Sequence, residues 1–177
     1  MKSLFVLVTL TCGVSANAAD TDKTLVSWVM LQDKNVRAGS VLTVQVGDQF
    51  DGIVFAELAD ARWMAGSNHF DRTNKIQDDY PREEADAKTL VQLAIVYEGD
   101  QITVYRNGEQ YASHKATNID LLGNDENFVV FGLRHVGGKG QVAAAIEDAR
   151  IYDKALSQKE IKLLEPNRES PIKPFAW

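Results

Sequence analysis

The run Leu90-Val91-Gln92-Leu93-Ala94-Ile95-Val96-Tyr97-Glu98-Gly99-Asp100-Gln101-Ile102-Thr103-Val104-Tyr105-Arg106-Asn107-Gly108-Glu109-Gln110-Tyr111-Ala112-Ser113-His114 holds three strands and two turns. Leu90 to Tyr97 is rich in the β-branched and aromatic residues that fit a pleated surface. Glu98-Gly99-Asp100 turns it. Gln101 to Arg106 alternates, with Ile102 and Val104 on one face. Asn107-Gly108 then satisfies a type I′ turn, which needs positive φ at both central positions. Glu109 to His114 returns alongside. The prediction is a three-stranded antiparallel meander.

The same rhythm extends upstream. Thr24 to Leu31 reads as a strand with Leu25, Val29 and Leu31 on one face and Val26, Trp28 and Met30 on the other. Both faces are apolar, so it is expected to be buried on both sides. Gly39 turns into Ser40–Val46, Gly47-Asp48 into Phe50–Leu58, and Arg62–Gly66 is short. Asp71 to Lys88 interrupts with about eighteen polar residues, a loop length that in a compact domain usually carries function or disorder. Downstream, Phe128–Leu133 and Val142–Tyr152 are strands around the loop Gly137-Gly138-Lys139-Gly140. Ser157-Gln158-Lys159-Glu160 is a capping box, Leu156 and Ile161 form a hydrophobic staple, and the helix they start stops before Pro166. Regular short strands with one terminal helix predict an all-β, antiparallel two-sheet sandwich.

Met1-Lys2, the apolar run Ser3–Val14 and Ala16-Asn17-Ala18 occur in the order of a secretory signal peptide with its cleavage site. The competing reading is a buried N-terminal strand. The apolar run is too short to cross a bilayer core of about 30 Å. The expected organisation is a signal peptide at 1–18, one domain at 19–165, and a linker or tail at 166–177 that either docks or continues. Cleavage would place the protein in the periplasm or outside the cell and remove Cys12, the only cysteine. A chain of 177 residues with a formal net charge of −6 lacks the clustered basic residues of a nonspecific nucleic-acid binder.

Two segments carry a family resemblance. Leu93 to Glu109 resembles the central hairpin of laminin-G-like, concanavalin-A-like jelly-roll domains. Ala145-Ile146-Glu147-Asp148-Ala149-Arg150-Ile151-Tyr152-Asp153-Lys154-Ala155-Leu156-Ser157-Gln158-Lys159-Glu160-Ile161 resembles the closing strand and helix of that family. The resemblance covers about Thr24 to Glu165, with the usual opening strand shortened or absent. It implies a two-sheet jelly roll with a convex and a concave face, a fold that hosts lectins, glycanases and adhesion modules. Phe50–Phe55, Trp63–Ser67 and the Pro174-Phe175-Ala176-Trp177 exit also resemble the N-terminal module of exported bacterial proteins. Some of these carry a levanase-like, family 32 glycoside hydrolase downstream.

Glycoside hydrolysis needs two carboxyl groups facing one another across the bond, roughly 5 to 9.5 Å apart. Jelly-roll glucanases carry them as alternating acids on one strand, and no such run occurs here. Glu147-Asp148 point to opposite faces, Asp125-Glu126 reads as a turn, and the family 32 signatures are missing. No catalytic residue is therefore assigned to this chain. His69, His114 and His135 have no metal-ligand spacing. Calcium suits loop carboxylates, with Asp48, Asp51, Asp71 and Asp78 as candidate ligands drawn from separate loops. Sugar binding needs an aromatic face and planar polar groups. Trp63, Asn68, His69, Arg134 and His135 are the candidates, with core packing as the other reading of Trp63.

The expected function is a non-catalytic carbohydrate-binding module for a glycan or fructan, accessory to polysaccharide breakdown or cell-surface recognition. It could adjoin a catalytic domain. The alternatives are a structural or protein-interaction module, or the N-terminal fragment of a levanase-like hydrolase.

Overall fold

The computed structural model describes residues 7–10, 22–116 and 127–175. Among the described residues, ten strands form two five-stranded antiparallel sheets, with one short α-helix near the C-terminal end. The first sheet has the order β1 (Leu7–Leu10), β9 (Asn127–Val130), β3 (Gly39–Val46), β4 (Gln49–Phe55), β5 (Trp63–Ser67). The second has the order β10 (Ala143–Tyr152), β2 (Lys23–Asp33), β6 (Val91–Glu98), β7 (Gln101–Arg106), β8 (Glu109–Lys115). The predicted meander is β6–β7–β8, with Ile95 opposite Val104 and Val104 opposite Ala112. Asn107 and Gly108 both have positive φ, as a type I′ turn demands.

The principal core lies between the sheets. Leu25, Leu42, Ile53, Phe55, Trp63, Leu93, Ile95 and Val104 are all fully buried there. Burying each such side chain contributes about 1.5–3 kcal/mol. The two apolar faces of β2 divide as expected. Leu25 and Val29 enter the main core, while Val26 and Trp28 face outward into a second cluster with Ala94, Val96, Tyr152, Leu156, Ile161 and Leu164.

That second cluster is roofed by helix α1 (Gln158–Lys162) and the segment after it. Ser157 caps α1 through the expected capping box. The tail docks: Phe175 N–H donates to Ile151 O at 2.7 Å, Arg150 donates to Glu165 O and Arg168 O, and Tyr152 and Ser170 share a hydrogen bond. Ile172 packs on the cluster. Residues 166–175 thus lie against the second sheet; Trp177 lies outside the described residues.

The outer face of the first sheet is also covered by the chain. Gly132 N–H donates to Ser40 O, Thr43 Oγ1 to Arg134 O, and Val136 N–H to Gln45 Oε1. These bonds strap the segment after β9 across β3. Gly52 and Gly66 sit opposite each other beneath this cover, and a Cβ on Gly52 would come within 2.4 Å of Thr43 Oγ1.

Three boundaries differ from the sequence reading. β4 ends at Phe55 because Ala56 turns to φ 54°, and β9 ends at Val130 ahead of Gly132 at φ 85°. Leu7–Leu10, expected to lie outside the domain, pair antiparallel with Val130–Asn127. An apolar run of this length satisfies an edge strand as well as a leader, so composition alone does not separate the two. The Ala16-Asn17-Ala18 site and Cys12 lie outside the described residues, as does Asp125-Glu126. Among the described residues, no helix is long and apolar enough to cross a membrane.

Candidate functional site

Trp63 opens β5, and the pleat turns its side chain inward. It is fully buried, 4.8 Å from the Phe55 ring, and its Nε1–H donates to Glu83 Oε2 at 2.8 Å. The stacking platform expected of Trp63 is therefore not presented to solvent; the core-packing reading holds. Its partner Glu83 also accepts from Arg106 Nε at 2.9 Å and Nη2 at 2.7 Å, and from Ala85 N–H at 2.9 Å. Burial pushes this carboxyl up, but the Arg106 fork, the Ala85 amide and the indole outweigh it and hold Glu83 below the ordinary carboxylate range. Tyr111 completes this polar end of the sandwich, donating to Pro81 O and accepting from Trp63 N–H. Burial pushes its hydroxyl up to about 12.

The other four sugar candidates are brought to one region. His135 stacks on Phe50 with ring centroids 5.0 Å apart, and Arg134 lies over both Phe50 and Phe70. Phe70 ends the 3-10 turn Asn68–Phe70, which places Asn68 and the exposed His69 beside Arg134. His69 and Phe70 both take positive φ, which is strained for residues bearing a Cβ. The Arg134 guanidinium is engaged by Glu57 and by His135 Nε2, and desolvation lowers its pKa.

The four aspartates do not converge. Asp51 is fully buried between Lys23 Nζ at 2.6 Å and Arg72 Nε at 2.8 Å, so both of its oxygens already have cationic partners. Asp48 is exposed in the β3–β4 turn, and Asp71 and Asp78 are exposed at separate points of the long loop between β5 and β6. Among the described residues, no three His, Cys, Asp or Glu side chains are grouped to hold a metal. The calcium site assembled from these loops is thus not formed by this arrangement.

A feature absent from the sequence reading lies at the Phe55–Trp63 end of the sandwich. Three loops meet there around a cleft of about 550 Å³. Lys34, Asn35 and Arg37 come from the β2–β3 turn, Asp60 and Ala61 from the β4–β5 loop, and Arg82, Glu83 and Glu84 from the long polar loop. Arg37 pairs with Asp60 at 2.7 Å, and Lys34 Nζ donates to Ala85 O at 3.1 Å and Glu84 O at 3.4 Å. Arg62 braces the loops from beneath through Tyr80 O, Asp60 O and Asp78 O. Ala38, Ala56 and Ala61 all adopt positive φ around this end. The loop that sequence flagged by its length thus supplies one wall. Its partners are about fifty and twenty residues upstream, and no local pattern joins them.

The family model described as concanavalin A-like lectin/glucanases superfamily matches residues 8–162. No curated protein matches the chain's sequence. Among solved structures, a heptameric SAP-like pentraxin from Limulus polyphemus superposes with a TM-score of 0.58 at 13% identity, over 81% of this chain and 69% of that one. Domain 4 of AbnA, a GH43 extracellular arabinanase from Geobacillus stearothermophilus in complex with arabinotriose, gives 0.61 at 15% identity, over 80% and 65%. A Bacteroides ovatus protein assigned to carbohydrate binding gives 0.65 at 10% identity, over 94% and 48%. The chain therefore spans about half the length of this last protein. At these identities the likeness concerns the fold.

Proposed function

The chain belongs to the concanavalin A-like lectin/glucanase superfamily, and from that membership we propose that it is an exported, non-catalytic carbohydrate-binding module serving polysaccharide breakdown or cell-surface recognition. The observation that carries the reading is the cleft at the Phe55–Trp63 end. Its volume of about 550 Å³ falls in the range of small-molecule sites. Its walls combine an amide (Asn35), carboxylates (Asp60, Glu84) and guanidinium groups (Arg37, Arg82). Sugar hydroxyls both donate and accept, so such a mixture satisfies them. The solved structures named for carbohydrate binding or holding an arabino-oligosaccharide share the fold and support the same reading.

The acids at the cleft favour binding over hydrolysis. A general acid must be protonated at working pH, whereas Glu83 is held ionised by Arg106 and Asp60 is engaged by Arg37. The Arg134–His135–Asn68–His69 region is proposed as a second, weaker surface. Its guanidinium already has partners, leaving His69 as its most exposed ring. Export by cleavage after Ala18 would remove β1 and leave β9 paired with β3 alone.

Affinity electrophoresis against arabinan, levan and β-glucan, with and without chelator, tests this. Retardation in at least one glycan is expected, reduced about tenfold, or roughly 1.4 kcal/mol, by Asp60→Ala and by less in Arg134→Ala. Retardation by none, from protein shown folded by circular dichroism, would favour the interaction-module alternative. A Arg134→Ala effect larger than that of Asp60→Ala would move the site to the β4 face.

A further inference from the structure

The cleft differs in charge from the rest of the chain. The whole protein is acidic at −6, yet two of the loops that line the cleft bring cations to it: Lys34 and Arg37 from the β2–β3 turn, Arg82 from the long polar loop. Arg37 is neutralised by Asp60, and Glu83 is neutralised by Arg106 below the floor. Lys34 rests on two backbone carbonyls and makes no salt bridge among the described residues, though its charge helps hold the nearby Asp86 carboxyl below the ordinary range. Arg82 is exposed and makes no ion pair among the described residues. Glu84 is the remaining acid of the lining, so the lining side chains carry one positive charge in excess once the Arg37–Asp60 and Arg106–Glu83 pairs are set aside.

We propose that this cleft recognises the carboxylate of an acidic sugar, a uronate residue within a polysaccharide, with Lys34 from the β2–β3 turn and Arg82 from the long polar loop both engaging the anion. The proposal rests on the carbohydrate-binding reading and names the class of sugar. A single excess positive charge suits one anion per ring, while Asn35, Asp60 and Glu84 remain for the hydroxyls. A densely sulfated chain would meet Asp60, Glu84 and the acidic surface around them, and like charges disfavour it. Lys34 is already held at its carbonyls, and preorganisation lowers the cost of ordering it on a ligand. Arg82 supplies the planar fork that matches a carboxylate.

The test uses the purified full chain in EDTA, so that no divalent ion bridges anion to protein. Isothermal titration compares polygalacturonate oligosaccharides with their methyl esters, which keep the ring and lose the charge, and with dextran sulfate and neutral arabinan. The expected result is binding to the uronate, at least about fivefold weaker for the methyl ester and for Arg82→Gln. It should weaken as salt rises and be unchanged in Lys139→Gln, an exposed cation on another loop. Lys34→Gln should act like Arg82→Gln. Thermal melts of both variants are expected to match the parent, because both side chains are exposed.

Equal binding of ester, arabinan and uronate would overturn the acidic-sugar assignment and leave the carbohydrate reading standing. Dextran sulfate binding as well as the uronate, with Lys139→Gln as damaging as Arg82→Gln, would reduce it to general polyanion attraction and overturn it. In a parallel titration with calcium in place of EDTA, uronate binding seen only there would replace direct recognition by a cation bridge. Binding to nothing would overturn both readings.

Discussion

Glu83 is nearly inaccessible, yet it accepts from the Trp63 indole, from the Ala85 amide and from both arms of the Arg106 fork. Glu83→Gln keeps the shape but removes the charge that satisfies Arg106. An expected loss of about 2–3 kcal/mol in urea unfolding follows. The pH dependence has a definite sign. The folded carboxyl sits below its ordinary value of 4.5, so the unfolded chain binds the proton more readily. The stabilisation is complete above that value and is lost as pH falls through the lower, folded one. Denaturation midpoints measured from about pH 3 to 7 should show a steeper acid limb in the parent than in Glu83→Gln. Trp63 shows what a short strand hides from a sequence reading. Its five-residue strand carries apolar residues on both faces, and the carboxylate that receives its indole lies twenty residues later in a polar loop. No periodicity could point the ring inward.

At the scale of elements, the strands with alternating or doubly apolar faces were legible. β2 is the strongest case, because its two faces enter two different clusters as its pattern implies. The cap of α1 was legible too, since Ser157 and Glu160 stand at the required spacing. The covers on the outer faces were not. Pro166 to Phe175 is polar and proline-rich, and it holds to β10 through the Arg168 carbonyl, the Asn167 and Phe175 amides and the Asn167 and Ser170 side chains, polar contacts that no hydrophobic pattern announces. Truncation after Glu165 should therefore do more than shorten a tail. It removes Ile172 from the second cluster, the Ser170–Tyr152 bond and the Phe175–Ile151 bond. A loss of about 2–3 kcal/mol is expected, read as a lower melting temperature. Amide exchange should quicken in β10 and leave β7 unchanged. An unchanged melt would mean that the tail covers the face without stabilising it.

At the scale of the molecule, the cleft exists only because the fold gathers three loops that are remote in sequence. Its residues are ordinary surface charges taken one at a time, which is why sequence pointed instead to aromatics and histidines. The sheet order carries a further consequence, for time rather than for binding. β2 is an interior strand of its sheet, between β10 and β6, with Trp28 opposite Gln92 on one side and Asp148 on the other. A ribosome releases β2 early, β6 much later, and β10 later still. Pairings this far apart fold slowly, because loop closure precedes the contacts that reward it. The β6–β7–β8 meander can form by itself in the meantime, and β2 must wait. A nascent chain halted before Ala143 is expected to remain protease-sensitive, whereas the full chain resists; early resistance would show that β2 and the meander lock without β10. For a protein proposed to be exported, the delay is useful, since a chain that cannot enclose β2 until β10 has been made stays unfolded long enough to be threaded across a membrane.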